Sequence, residues 1–133
     1  MKIQINPVQG RPGQILVIPH GSIDNETYQE FDQKLKPLLQ PATKSIIMDL
    51  SDVEYISSAG LGVIFTVKKY LVTHQGDLLF CNLKPQIKRL FEIIKALPME
   101  TLFKTREEAD EYLYNMMNRA IDEENERRSG SSS

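Results

Sequence analysis

Long apolar runs are missing from this chain: no stretch approaches the roughly 20 consecutive apolar residues that a membrane span requires. The apolar block of a signal peptide is absent too, because Met1-Lys2-Ile3-Gln4-Ile5-Asn6-Pro7 alternates as a strand does. Cysteine is scarce. The single Cys81 excludes a disulfide within the chain, and its place in Leu78-Leu79-Phe80-Cys81 predicts a buried, inert thiol in a reducing cytoplasm. Histidine is limited to His20 and His74, which leaves a nucleophile few bases, and no cluster has metal-ligand spacing. An excess of basic charge is also lacking. The formal net charge of −2 gives no ground for a nucleic-acid partner.

What is present suits one domain. Apolar residues make up 41% of 133, enough for a core without disulfide or metal. Charge is uneven: Arg106 to Arg128 holds eight acids and four bases. The sequence predicts a domain over 1–121 and a flexible tail over 122–133, first charged and then Gly/Ser-rich. Nothing in it fixes an oligomeric state.

Ile3 and Ile5 predict a first strand, and Gln14 to Pro19 a second after the turn Gly10-Arg11-Pro12-Gly13. Asp24 is a candidate N-cap for a helix carrying Tyr28, Phe31, Leu35, Leu38 and Leu39, which stops before Pro41. Ile46-Ile47-Met48-Asp49-Leu50 reads as a buried central strand. A helix follows from about Ser58 to His74, then a strand over Leu78 to Cys81. The next helix opens at Lys84-Pro85, with Pro85 at its first position, where a missing N–H costs nothing. Its polar side carries Lys84, Lys88, Arg89 and Lys95. A short strand near Leu102-Phe103 and a helix from Arg106 to about Ile121 close the domain. This order predicts an α/β sandwich: a mixed, mostly parallel sheet with an antiparallel N-terminal edge, packed by about four helices.

The candidate site is the strand-to-helix turn at Ser57-Ser58-Ala59-Gly60. In open α/β sheets, ligands and partners gather at such carboxyl ends of strands. A serine oxygen there lies close to unpaired backbone N–H groups, at the positive end of a helix dipole. Ala59, Gly60 and Gly62 have little or no side chain, so the first turn is expected to be bare and Ser58 Oγ accessible. A plain alternative stands beside this, since serine is an ordinary N-cap and glycine allows tight helix-sheet packing. The helix itself is apolar around most of its circumference. Leu61, Ile64, Phe65, Leu71 and Val72 form one stripe, and Val63, Val67 and Tyr70 form another. That exceeds the arc of about 100° that an ordinary surface helix buries, which predicts deep burial, a docking face, or both.

Several segments together resemble the STAS domain family, specifically the bacterial anti-sigma factor antagonists. They are Gly21-Ser22-Ile23-Asp24, Asp49-Leu50-Ser51, Tyr55-Ile56-Ser57-Ser58-Ala59-Gly60-Leu61-Gly62-Val63 and Lys84-Pro85-Gln86-Ile87-Lys88-Arg89-Leu90-Phe91. The resemblance implies the STAS-like sandwich and a protein that switches partners without a cofactor. Unphosphorylated, such a protein binds an anti-sigma factor that is also a serine/threonine kinase. Phosphorylation ends the contact and a PP2C-type phosphatase resets it. The phosphorylated serine maps to Ser58, with Ser57 the second candidate. The partner-binding surface maps to Asp24, Ser57, Ser58, Ala59, Gly60, Gly62, Val63 and Val67. Family members often carry Asp before the phosphorylated serine, where this chain has Ser57.

Catalysis is not expected. A Gly-x-Ser-x-Gly elbow around Ser58 fails at Ile56, the dinucleotide fingerprint fails at Phe65, and no Gly-Lys-Ser/Thr phosphate loop occurs. The competing reading is a STAS docking module that does not switch, such as a transporter subunit or regulatory scaffold.

Overall fold

The computed structural model describes residues 1–96 and 106–131. Alternating apolar residues pair β1 (Lys2–Pro7) with β2 (Gln14–His20) in an antiparallel register that sets Ile3 opposite Pro19 and Ile5 opposite Val17. From β2 the chain passes through α1 (Tyr28–Leu35) to β3 (Ser45–Asp49), then through α2 (Ser58–Thr73) to β4 (Asp77–Cys81). Both connections are helical crossovers, so β2, β3 and β4 run parallel, and the sheet order is β1-β2-β3-β4. Helices α3 (Pro85–Ala96) and α4 (Arg106–Ser131) follow. The mixed sheet, its antiparallel N-terminal edge and the four helices are those the sequence predicts. The strand expected near Leu102-Phe103 lies outside the described residues.

Register decides where the core sits. Ile15, Ile46 and Leu78 align across the parallel strands, as do Val17, Met48 and Phe80. These rows pack against Phe31 and Leu35 of α1, Leu61, Ile64 and Leu71 of α2, and Ile87 and Leu90 of α3. The row between them, Leu16, Ile47 and Leu79, points to the other face, where Leu79 is 47% exposed. Helices therefore cover one face and leave the other partly open. No helix among the described residues is long and apolar enough to cross a membrane.

Three local expectations change. Regular helix α1 ends at Leu35, with a 3-10 turn over Lys36–Leu38, because Pro37 has no N–H to donate and crowds the preceding turn. Helix α4 does not stop near Ile121 but runs to Ser131. Beyond Ile121, Glu123, Glu124, Glu126 and Arg127 are strong helix formers, and Glu124 pairs with Arg127 at 3.7 Å. Cys81 is half-buried instead of buried, since β4 lies at the edge of the described sheet. Burial and then the Asp49 carboxylate push its thiol pKa up, which keeps it protonated.

Asp49 closes β3. Its carboxylate accepts the Ser51 N–H at 2.9 Å and the Asn82 amide at 3.2 Å, where Asn82 holds a left-handed φ of 57°. Burial raises the Asp49 pKa, but the Ser51 and Asn82 hydrogen bonds outweigh it and hold the carboxyl below its usual 3.8. A depressed carboxyl pKa gives stability that is present above the ordinary value and is lost as pH falls through the folded one. Asp49→Asn should therefore flatten the loss of urea-melt stability below about pH 4. An acid limb identical to that of the unmodified chain would assign the effect to other carboxylates.

Candidate functional site

Two loops meet at the carboxyl end of the sheet, and backbone hydrogen bonds hold them together. The Gly21 N–H donates to Asp52 O at 2.9 Å, Ile23 N–H to Tyr55 O at 3.0 Å, and Ser57 N–H to Ile23 O at 2.8 Å. Ile23 and Ile56 form a parallel bridge. This short ladder extends the β2–β3 pairing past the ends of both strands, and Ile23 and Ile56 are fully buried beneath it. The chain following Ile23 is thereby fixed beside the start of α2.

Asp24 stands at that junction. Its Oδ1 accepts the N–H groups of Glu26 at 2.9 Å and Thr27 at 3.0 Å, and its carbonyl accepts the Tyr28 N–H at 2.9 Å. Those are the bonds of an N-cap. Regular helix begins only at Tyr28, with Thr27 at its N-cap position and no side-chain cap bond there. Asp24 thus caps the irregular turn that leads into α1.

At α2 the cap is Ser57. Its backbone is extended (φ −81°, ψ 172°), its Oγ accepts the Gly60 N–H at 3.2 Å, and only 1% of the residue is exposed. Ser58 is the first helical residue, so the capping role expected of this turn belongs to Ser57 alone. The Ser58 N–H, one of the donors a helix start leaves unpaired, donates to Asp110 Oδ1 of α4 at 2.7 Å. Asp110 Oδ2 accepts from Asn25 Nδ2 at 3.3 Å. A carboxylate at this end of a helix stabilises it by roughly 1 kcal/mol. Ser58 Oγ is buried and makes no hydrogen bond among the described residues, an arrangement that costs about 1–3 kcal/mol. The hydroxyl expected to be accessible is closed off, although the residue as a whole is half-buried, and Asp110 of α4 stands beside it at the Ser58 N–H.

The rest of the expected surface divides in two. Ala59 and Gly60 face inward. A Cβ on Gly60 would stand 2.7 Å from both Ile23 O and Ile23 Cγ2, so hydrogen at this position lets the helix approach the ladder. Val63 and Val67, expected at the docking face, are 8% and 2% exposed and belong to the core. Gly62 is open, with nothing within 4 Å of an added Cβ. Along α2 the exposed line runs through Gly62, Phe65, Thr66 and Lys69, and Phe65 is 43% exposed. The helix is thus both deeply packed and open along one edge. Phe65, Asn25 and Asp110 escape a reading of local spacing. Phe65 sits beside core residues in the pattern, and Asp110 is 52 positions from its partner Ser58.

Tyr55 completes the wall. Its ring meets the edge of Tyr114 of α4, centroids 5.7 Å apart at 71°. Burial first, then the Asp110 and Asp24 carboxylates, push its phenol above the usual 10.0. Neither histidine approaches Ser58 in the hydrogen-bond network: His20 joins Asp52 and Gln4, and His74 joins Tyr70 O and stacks on the Tyr70 ring.

Comparison with known proteins gives a consistent result. The STAS domain model matches residues 7–109. Over 109 residues the chain is 29% identical to BtrV of Bordetella bronchiseptica, named as an anti-sigma factor antagonist, covering 82% of this chain and 91% of that one. It is 34% identical over 73 residues to the anti-sigma-B factor antagonist of Staphylococcus aureus, covering 55% and 68%. The fold is similar to a Thermotoga maritima crystal structure described as an anti-sigma factor antagonist, with a TM-score of 0.63 at 22% identity, covering 84% and 94%.

The two glycines of the turn should respond in opposite senses. Gly60→Ala forces backbone and side chain apart and should cost about 2 kcal/mol or more in urea melts. Gly62→Ala fills open space on a helix and should gain roughly 0.5–1 kcal/mol. Equal stabilities for the two variants would contradict this packing.

Proposed function

This chain belongs to the STAS domain family of anti-sigma factor antagonists, and we propose that it acts in the cytoplasm as a phosphorylation-controlled binding protein and not as a catalyst. With Ser58 unmodified it binds an anti-sigma factor that is also a serine/threonine kinase, which frees a sigma factor. Phosphorylation of Ser58 ends that complex, and a PP2C-type phosphatase restores it. The observation that carries this reading is the position of Ser58 as first residue of α2, between the tied Asp24 loop and the open Gly62–Phe65 edge.

Electrostatics supplies the mechanism. Phosphate on Ser58 Oγ adds about 1.5 to 2 negative charges near neutral pH. Asp24 and Asp110 already bring negative charge to this corner, enough to help burial hold Tyr55 protonated. A partner seated on the Gly62–Phe65 edge would have to desolvate the added anion, at a cost of several kcal/mol when no cation meets it. Binding ends through charge at the docking surface, with the sheet and its tied loops unchanged. Phe65 gives the partner an apolar anchor beside the charge-sensitive turn.

The burial of Ser58 Oγ favours a second reading, a docking module in which Ser58 is never modified. Pull-downs with the encoded anti-sigma factor separate the two. Ser58→Asp should weaken capture at least tenfold, about 1.4 kcal/mol, while Ser58→Ala should bind as the unmodified chain does. Incubation with that partner and ATP should place one phosphate on Ser58 by mass spectrometry. Undiminished capture by Ser58→Asp, with no phosphate acquired, would select the module that does not switch.

A further inference from the structure

Helix α4 reaches the start of α2 with one carboxylate. Asp110 Oδ1 takes the Ser58 N–H at 2.7 Å and Oδ2 takes the Asn25 amide at 3.3 Å, so a single side chain bridges α2, the Asp24 loop and α4. Below Asp110 on the same helical face come Leu113, Tyr114 and Met117. Leu113 and Met117 are buried, and Tyr114 abuts Tyr55. Most of the packing of α4 is against α3, and its contact with α2 is small. Breaking the Asp110 contacts therefore leaves the greater part of its anchorage in place.

We propose that α4 is an intramolecular cover for the Ser58 site, latched by Asp110, and that Ser58 becomes reachable only when the first turns of α4 lift from α2. Three features support this. Ser58 Oγ is buried and unpaired among the described residues, although a surface serine would have its hydrogen bonds satisfied by water. Asp110 already fills the place at the helix start where an anion is favoured, so its carboxylate and a phosphate on Ser58 exclude one another. The raised pKa of the Tyr55 phenol, due to burial and then to Asp110 and Asp24, reports the same closure from the neighbouring wall. Modification of Ser58 is then gated by release of α4, whereas the Gly62–Phe65 edge stays open throughout. A phosphate once added would hold the cover open.

The regulatory meaning rests on Ser58 as the switch, but the cover can be tested without a partner. In a Cys81→Ser background, the thiol introduced by Ser58→Cys reports access through its rate of reaction with a disulfide reagent such as DTNB. The full chain should react slowly, and adding Asp110→Ala should raise the rate at least tenfold. Amide exchange of the Ser58 N–H, followed by NMR with Ser58 intact, should accelerate in Asp110→Ala by a similar factor, which guards against a thiol that disturbs the packing. Equal exchange and equal labelling with and without Asp110 would overturn the cover and leave the Ser58→Asp capture result standing. Accelerated exchange, together with unaltered capture by Ser58→Asp, would keep the cover and remove the switch.

Discussion

Three backbone hydrogen bonds between the Gly21–Ile23 and Asp52–Ser57 loops hold the site together. They prolong a parallel strand pair into what would otherwise be two independent loops, and Ile23 and Ile56 seal them from below. Everything functional depends on this tie. It brings Asp24 beside the first turn of α2, and it makes Gly60 necessary, because any larger residue would strike Ile23. It also sets the helix start at Ser57, whose N–H is used by the ladder and whose side chain caps the helix.

The unpaired N–H groups at the start of α2 are a limited set, and different groups are assigned to them. Ser57 Oγ satisfies Gly60, and Asp110 satisfies Ser58. A phosphate would be a third claimant, stronger than either in charge and close to both. Cap, cover and proposed switch are in this sense one electrostatic problem. Its outcome turns on which anion sits at the positive end of a helix, and the same fold serves each answer.

Much of this was legible in the sequence because it is local. Alternation in Lys2-Ile3-Gln4-Ile5 and the continuous run Ile46-Ile47-Met48 mark strands, and Pro85 marks a helix start. The turn Ser57-Ser58-Ala59-Gly60 marks the start of α2, where the sequence places the candidate site. What the sequence hid was set by tertiary contact. Val63 and Phe65 are both apolar residues of α2, yet one is core and the other surface, because the helix is packed on more than one side. The charged C-terminal segment reads from composition as a flexible tail beyond Ile121, whereas helix α4 runs on to Ser131. That one of its carboxylates caps a helix 52 positions earlier leaves no trace in spacing or composition.

The central claim is that the joined loops form a rigid extension of the sheet. Native-state amide exchange tests it most directly, at Ile23 and Ser57. Both N–H groups are predicted to exchange as slowly as those of Ile46 and Met48 in the central strand, through global unfolding. Exchange at rates typical of surface loops would show that the two segments move independently, and the account of the site built on their union would fail.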